Sequence, residues 1–181
     1  MKTTELFSRQ PVSQDDIIRF IVPPFSPSRV VFATGDIMRQ SYYHNYDYPG
    51  YIFMREEYGL LSRPFSFLTY IFEVKGYNLF VLSCTEHNRF EITGFNSGYD
   101  YIRLPVAVGC TKNWEYRVSE EIRVICHSVL TLRDIEGRSC RELQVDRRML
   151  YCDGRFCSET HSREYYIEGL GIVGIQMEIK K

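Results

Sequence analysis

The cysteines near the carboxyl end have the spacing that most suggests metal or redox chemistry. The candidate ligands are Cys140, Cys152, Cys157 and His161. A structural zinc site usually shows two closely spaced ligand pairs, and only one short pair is present, so zinc is the weaker interpretation. A disulfide between Cys152 and Cys157 is the better one. If residues 153–156 form the loop, the two cysteines are directly opposed; if Asp153-Gly154 is the whole turn, they lie diagonally.

A second segment, Gly169-Leu170-Gly171-Ile172-Val173-Gly174, matches the dinucleotide-binding fingerprint letter for letter. That fingerprint places a pyrophosphate on the amino terminus of a following helix, with an acidic residue about 20 residues further on for the ribose. Here the alternating run Ile175-Gln176-Met177-Glu178-Ile179 follows, which is typical of a strand. We therefore predict that the segment binds no dinucleotide and that the protein carries no cofactor.

For nucleophilic catalysis, the one local grouping is Ser83-Cys84 with His87. Cys84 and His87 point to opposite faces of a strand because side chains alternate, and no Gly-x-Ser-x-Gly elbow is present. Adjacent acids such as Glu56-Glu57 face opposite sides for the same reason. Buried free thiols are the plainer interpretation of most of the six cysteines. The sequence therefore predicts no catalytic residue and no metal site.

The segment 42–51 holds five tyrosines around Pro49-Gly50. Tyrosine offers a large contact area at low entropic cost and carries a polar tip, so this segment could line a recognition surface. The alternative, which we favour, is a two-stranded ribbon whose rings pack across the strands.

The elements that position these residues are predicted to be strands. From Arg29 onward the apolar residues recur with period 2, as in Arg89-Phe90-Glu91-Ile92-Thr93. Turn sequences such as Lys75-Gly76, Glu136-Gly137 and Asp153-Gly154 separate these runs, which gives about ten strands. No long amphipathic helix is available for crossovers, so the strands must pair antiparallel.

We divide the chain into an irregular lead-in, residues 1–27, and an antiparallel β domain, residues 28–181. In the lead-in, Ser13 to Asp16 can cap a short helix through Ile17, Ile18 and Ile21. Pro23-Pro24 ends that helix after about two turns.

Composition excludes some partners. The 22 basic and 23 acidic residues give a net charge of −1 without a basic stripe, so nucleic acid is not an expected partner. No apolar run approaches the ~20 residues that span a bilayer. The segment 1–9 is not a signal peptide as written, although a start methionine could have replaced a leader. We therefore expect an envelope or secreted protein if a leader was removed, and a cytoplasmic one otherwise.

One family resemblance covers roughly residues 100–181. Its motifs are Tyr101-Ile102-Arg103-Leu104-Pro105-Val106-Ala107-Val108-Gly109, then Trp114-Glu115-Tyr116, then Tyr165-Tyr166-Ile167-Glu168-Gly169-Leu170-Gly171-Ile172-Val173. This order resembles small exported bacterial domains, often lipoproteins, of unknown function. The resemblance implies a curled antiparallel sheet, an open half-barrel similar in shape to lipoprotein carriers, and no catalytic residue. Two features depart from the pattern: Met1 lacks a leader and lipid-attachment cysteine, and cysteine-bearing residues 151–157 replace the usual small-residue hairpin.

The combined prediction is an all-β, mainly antiparallel fold: a single strongly curled sheet, half-barrel or open barrel, with a short N-terminal helix. We predict a non-enzymatic domain that binds an apolar ligand or a partner protein at a concave aromatic face in the bacterial envelope. An intracellular interaction protein of inhibitor or immunity type is the alternative, and an enzyme of unrecognised class is the third. The candidate lining residues, chosen for size and alternation, are Tyr42, Tyr46, Phe72, Phe90 and Trp114. Trp114 is also predicted to anchor the core.

Overall fold

The computed structural model describes residues 12, 16–22, 28–31, 37–44, 51–60, 63–87, 92–154 and 156–180. One short helix precedes the strands: α1 (Asp16–Ile21). The strands are β1 (Ser28–Val31), β2 (Ile37–His44), β3 (Tyr51–Leu60), β4 (Arg63–Lys75), β5 (Asn78–His87), β6 (Ile92–Phe95), β7 (Tyr99–Arg103), β8 (Thr111–Arg117), β9 (Ile122–Ile135), β10 (Arg138–Asp153), β11 (Phe156–Ile167) and β12 (Gly171–Lys180).

Every strand pair in this part of the chain is antiparallel, which confirms the predicted fold class. The strands form two sheets rather than the one predicted. A seven-stranded sheet has the order β1-β2-β3-β4-β5-β6, with β7 also pairing with β5, and a five-stranded sheet has the order β12-β11-β10-β9-β8. The ladder breaks between β7 and β8, where Pro105 lacks the N–H that pairing needs. Alternation identifies strands, but it does not reveal where a ladder stops.

The hydrophobic core lies between the sheets and takes side chains from both. Its fully buried members include Phe72, Leu79, Val81, Leu130, Leu143 and Val145. At the sheet edges β7 contacts β8, and β1 contacts β12. Trp114 is buried in the same core and its Nε1 donates to the carbonyl of Asp100 at 2.7 Å, so the prediction of a core anchor is confirmed.

Helix α1 forms where the capping pattern predicts it, and it packs into the core through Ile17 and Phe20. An ion cluster fixes it to the five-stranded sheet. Arg141 on β10 donates to both carboxylate oxygens of Glu168, at 2.9 and 2.7 Å, and to Asp16 of α1 at 3.0 Å. The hydrogen bonds from Arg141 lower the pKa of Glu168. Helix α1 is therefore part of the hydrophobic core. Among the described residues no helix has the length and apolar character needed to cross a membrane.

The glycine-rich segment after β11 is a hairpin turn. Gly169 and Gly171 have φ of 77° and 74°, in the left-handed region that glycine adopts without steric cost. The Gly169 amide donates to the carbonyl of Arg19 at 2.8 Å, so the turn packs on α1. Strand β12 follows, as predicted, where a dinucleotide site would need a helix.

The other hairpins differ in small ways from the prediction. Glu136 and Gly137 have φ of 52° and 80° and form the two-residue turn between β9 and β10, as predicted. The turns predicted at Lys75 and Asp153 begin one residue later, because those residues still pair with Asn78 and Phe156. In both cases glycine takes the first turn position, where its φ is positive.

Candidate functional site

A cavity of about 380 Å³ lies between the two sheets. This volume falls within the range of about 300–1,000 Å³ typical of ligand pockets. Both sheets contribute to its wall, through residues such as Leu68 and Cys84 on one side and Val124 and Ser162 on the other. Its lining includes Met177, whose side chain is 58% exposed, so the cavity reaches the protein surface.

The alternation of β10 and β11 places one charge from each strand in this wall. On β10, Leu143 and Val145 face the core and Arg147 continues the same row. On β11, the inward row contains Glu164 and Tyr166. A charged side chain therefore lies at a position where the strand pattern otherwise supplies an apolar one.

Arg147 and Glu164 form a buried, two-pronged ion pair. Nε of Arg147 donates to Oε1 of Glu164 at 2.8 Å, and Nη2 donates to Oε2 at 3.2 Å. The hydroxyl of Tyr166 donates to the same Oε2 at 2.7 Å. The remaining nitrogen, Nη1, donates to the carbonyl of Tyr101 at 2.9 Å and to the hydroxyl of Tyr116 at 3.3 Å. Each guanidinium nitrogen thus has a protein acceptor, which is how a buried charge is stabilised.

The electrostatics of the wall follow from this pair. Burial acts to lower the pKa of Arg147, but the charge of Glu164, followed by the phenols of Tyr116 and Tyr101, leaves that pKa above its ordinary value. Burial also raises the pKa of the Cys126 thiol, and the nearby Arg147 opposes the rise. Arg147 is therefore charged and Cys126 is protonated at neutral pH.

Aromatic rings form much of the remaining wall. Tyr99 and Tyr116 are stacked, with ring centroids 4.1 Å apart and an interplanar angle of 4°. The guanidinium carbon of Arg147 lies 4.3 Å from the ring centroid of Tyr101. Tyr70 packs against the same ring at 5.5 Å. Burial raises the pKa of Tyr99, Tyr101 and Tyr116, so their hydroxyls are neutral at physiological pH.

Cys84 lies in this wall beside two carboxylates. Its thiol is buried, and burial raises its pKa to about 12; a hydrogen bond with Tyr70 opposes the rise, and the charges of Glu56 and Glu86 add to it. A thiol with so high a pKa is a poor nucleophile at neutral pH. The nearby His87 stacks instead on Phe67, with centroids 4.6 Å apart. The Ser83-Cys84-His87 grouping therefore shows no nucleophile–base arrangement.

The opposite face of the five-stranded sheet is polar. One row across the strands contains, in register, Asn113, His127, Asp146, Arg163 and Gln176. Arg163 pairs with Asp146, and the His127 ring contacts Asn113 at 2.8 Å. Neighbouring charges on an exposed strand face commonly pair in this way.

The predicted lining residues lie in several places. Phe72 is fully buried in the core, where it stacks on Tyr70 beside the cavity, and it is not among the described residues that line it. Trp114 is also absent from that lining. Tyr42 lies on β2, where it pairs with Met54 of β3. Its side chain, together with Tyr46 and Phe90, lies outside the described part of the structure. Their part in ligand binding stays a prediction.

Sequence reasoning missed Arg147 and Glu164, the central charged residues of the cavity. The available signal was a single charge within an otherwise apolar inward row: Arg147 follows Leu143 and Val145 at period 2. That signal identifies the position of Arg147 as unusual, but it does not identify the residues that Arg147 contacts, because Tyr101 and Tyr116 lie on other strands.

The exposed cysteines occupy the β10–β11 hairpin. Cys152 and Cys157 are directly opposed in the register, and a hydrogen bond joins their thiols. The amide of Cys152 donates to Glu121 at 3.0 Å. Cys140 pairs with Arg133 at the opposite end of β10. In the described parts of the chain, no three His, Cys, Asp or Glu residues come together to hold a metal ion.

The fold and the cavity define an antiparallel two-sheet β protein with a polar ion pair inside an aromatic pocket. No protein-family model matches this chain, and no match is found among curated proteins or solved structures.

Proposed function

We propose that this protein is a non-enzymatic binding protein that holds a small, largely apolar molecule in the cavity between its sheets. The observation that carries the proposal is the cavity itself: about 380 Å³, with aromatic and aliphatic walls and a few charged groups. Ligand pockets commonly have this composition, since apolar walls supply affinity and a few polar groups supply orientation.

The state of the polar groups supports binding rather than catalysis. A catalytic site needs a nucleophile or base that is available in its reactive form. Here the carboxylate of Glu164 is engaged by Arg147 and Tyr166, and the thiol of Cys84 has a raised pKa. These groups are suited to fixing the shape and polarity of the cavity.

We also propose that the two sheets together act as an open barrel around the ligand, in the manner of exported carrier domains in the bacterial envelope. The contacts of β7 with β8 and of β1 with β12 support this shape. Backbone amide exchange tests it. We expect the backbone amides at these edges to exchange slowly, because the contacting strands cover them. Exchange as rapid as that of a free edge strand would contradict the open barrel.

A fluorescence titration with N-phenyl-1-naphthylamine, a neutral apolar probe, tests the binding function. We expect saturable binding to the wild type. Val124→Phe fills the cavity from the inner face of β9 and should abolish binding. Val129→Phe on the opposite face of the same strand is the matched control and should leave binding unchanged.

Overpacking costs about 1–3 kcal/mol of stability, so each variant is first checked by denaturation. Val124→Ala, which enlarges the cavity, provides a second variant and should still bind the probe. Absence of saturable binding to the wild type, or equal binding by Val124→Phe, would overturn the proposed function.

A further inference from the structure

Most of the charged groups described in the cavity wall are carboxylates. Four of the described lining residues are charged: Glu56, Glu86, Arg147 and Glu164. Arg147 and Glu164 neutralise one another in the buried pair. Besides this pair, the described lining contains the carboxylates of Glu56 and Glu86.

Glu86 is the carboxylate best placed to meet a ligand. It lies on β5, opposite Leu68 of β4, and is half-buried in the cavity wall. Burial is the main cause of the raised pKa of the Cys84 thiol, and the charges of Glu86 and Glu56 add to it. A carboxylate at the position of Glu86 in the cavity wall attracts a positively charged group and repels a negatively charged one.

The aromatic rings favour the same sign of charge. The aromatic residues of the lining are Tyr70, Phe95, Tyr99, Tyr101 and Tyr116. The face of an aromatic ring carries a negative electrostatic potential and attracts cations within about 6 Å, and cages of such rings recognise quaternary ammonium groups. The ring of Tyr101 already receives a cation in this way, since the Arg147 guanidinium lies over it at 4.3 Å.

An anionic ligand would find little support. Arg147 is the only cationic residue among the described lining residues, and its three nitrogens already donate to Glu164, Tyr101 and Tyr116. An anion would meet a guanidinium whose charge Glu164 already neutralises. Drawing Arg147 toward the anion would leave Glu164 buried without its counterion, which is strongly unfavourable.

We propose that the ligand is an amphipathic amine whose cationic head is held by Glu86 and the tyrosine rings while its apolar part fills the rest of the cavity. This inference rests on the proposed binding function and adds the chemical class of the ligand.

Competition against N-phenyl-1-naphthylamine tests the inference with three probes that share one chain: octyltrimethylammonium, octanol and octyl sulfate. We expect the ammonium compound to displace the naphthylamine at about tenfold lower concentration than the other two, a ratio that corresponds to about 1.4 kcal/mol. Glu86→Gln should reduce this preference severalfold without loss of naphthylamine binding. Glu120→Gln, an exposed carboxylate outside the cavity lining, is the matched control.

The outcomes separate the two proposals. If octanol or octyl sulfate displaces the naphthylamine as well as the ammonium compound does, or if none of the three displaces it, the inference is overturned while the binding function stands. An unchanged preference in Glu86→Gln would also overturn it. If the naphthylamine itself does not bind the wild type, the binding function fails and the inference fails with it.

Discussion

Two ion pairs lie side by side on β10 and β11 and face opposite directions. Asp146 and Arg147 are consecutive on one strand, and Arg163 and Glu164 are consecutive on the other. The outer pair, Arg163–Asp146, has side chains that are 47% and 31% exposed. The inner pair, Arg147–Glu164, has side chains that are 8% and 9% exposed. An arginine is thus paired with a carboxylate both at the surface and in the cavity.

The difference between these pairs is one of solvation. Water screens the outer pair, and exposed pairs of this kind contribute about 0–1 kcal/mol. The inner pair has lost most of its water, so the protein must replace that hydration. Tyr166 donates to Glu164, and Tyr101 and Tyr116 accept from Arg147. The face of the strand on which a charged residue lies, rather than its type, therefore decides whether the protein must replace the water around its charge.

The largest expected effect is the loss of the inner cation. Arg147→Ala leaves Glu164 buried without a counterion, and we expect the free energy of unfolding to fall by about 4–5 kcal/mol. Arg163→Ala removes the outer cation and should cost below about 1 kcal/mol. Urea denaturation of both variants measures the difference.

A double variant sharpens the same comparison. Arg147→Met combined with Glu164→Leu removes both charges and should recover most of the stability lost in Arg147→Ala, because no unpaired charge remains. If Arg147→Ala and Arg163→Ala lose the same free energy of unfolding, the inner pair is hydrated as the outer pair is, and the proposed difference between the two pairs is contradicted.

The next largest effect is expected on β8, where neighbouring residues also face opposite sides. Trp114→Ala should cost about 3–4 kcal/mol, since it removes a large buried ring and its hydrogen bond to Asp100. Glu115→Ala, which removes a side chain that is 58% exposed, should cost below about 1 kcal/mol. Chemical denaturation decides, and a loss under about 1 kcal/mol for Trp114→Ala would place the ring outside the core.

A smaller effect on the free energy of unfolding is expected from the titration of the buried Cys84 thiol. Burial raises the pKa of Cys84 from 9.0 to about 12. The unfolded chain therefore loses the thiol proton at a lower pH than the folded protein does. The contribution of the protonated Cys84 thiol to the free energy of unfolding is fully present below about pH 9, and it is lost as the pH rises toward about 12.

Denaturation midpoints measured between pH 8 and 12 test this linkage. Cys84→Ala should make the alkaline decline shallower. Cys140→Ala, at the opposite end of β10 from the cysteine hairpin, serves as the control. An identical decline in Cys84→Ala and the wild type would show that Cys84 does not contribute.

The smallest expected effect concerns the exposed cysteine hairpin. Cys152 and Cys157 are directly opposed, whereas Cys84 and Cys126 are buried. We expect diamide to link only the exposed pair, with loss of two thiol protons and two electrons to the oxidant. The hydrogen bond with Cys157 raises the pKa of Cys152, so oxidation should accelerate as the pH rises. Peptide mass mapping identifies the bridge, and a bridge to any other cysteine would contradict the register argument.

Local patterns were sufficient for much of the secondary structure. The alternation from Ile175 to Ile179 predicted the strand that became β12, and the prolines after Ile21 predicted the end of α1. The division of the strands into two sheets was not predictable from local patterns. A single curled sheet was expected from the family resemblance. The period of 2 could not correct this expectation, because it reports which face a residue occupies and contains no information about where one ladder ends and another begins.

The cavity shows the same limit more strongly. Large aromatic residues were chosen as its lining by size, and Phe72 and Trp114 lie in the core beside it instead. The residues that do shape it meet across long sequence separations. Arg147 contacts the carbonyl of Tyr101 from 46 residues away. Such contacts depend on how two sheets stack, which no local pattern records.

The sequence by itself determined the strands, their alternation and the hairpin turns, because steric preferences and apolar periodicity act between residues close together in the chain. Only the tertiary structure decided that the inward charge of Arg147 would meet Glu164 and the tyrosines around a cavity. The physical reason is that burial of a charge is tolerable only where partners from other strands replace its water, and those partners are brought together only when the sheets pack.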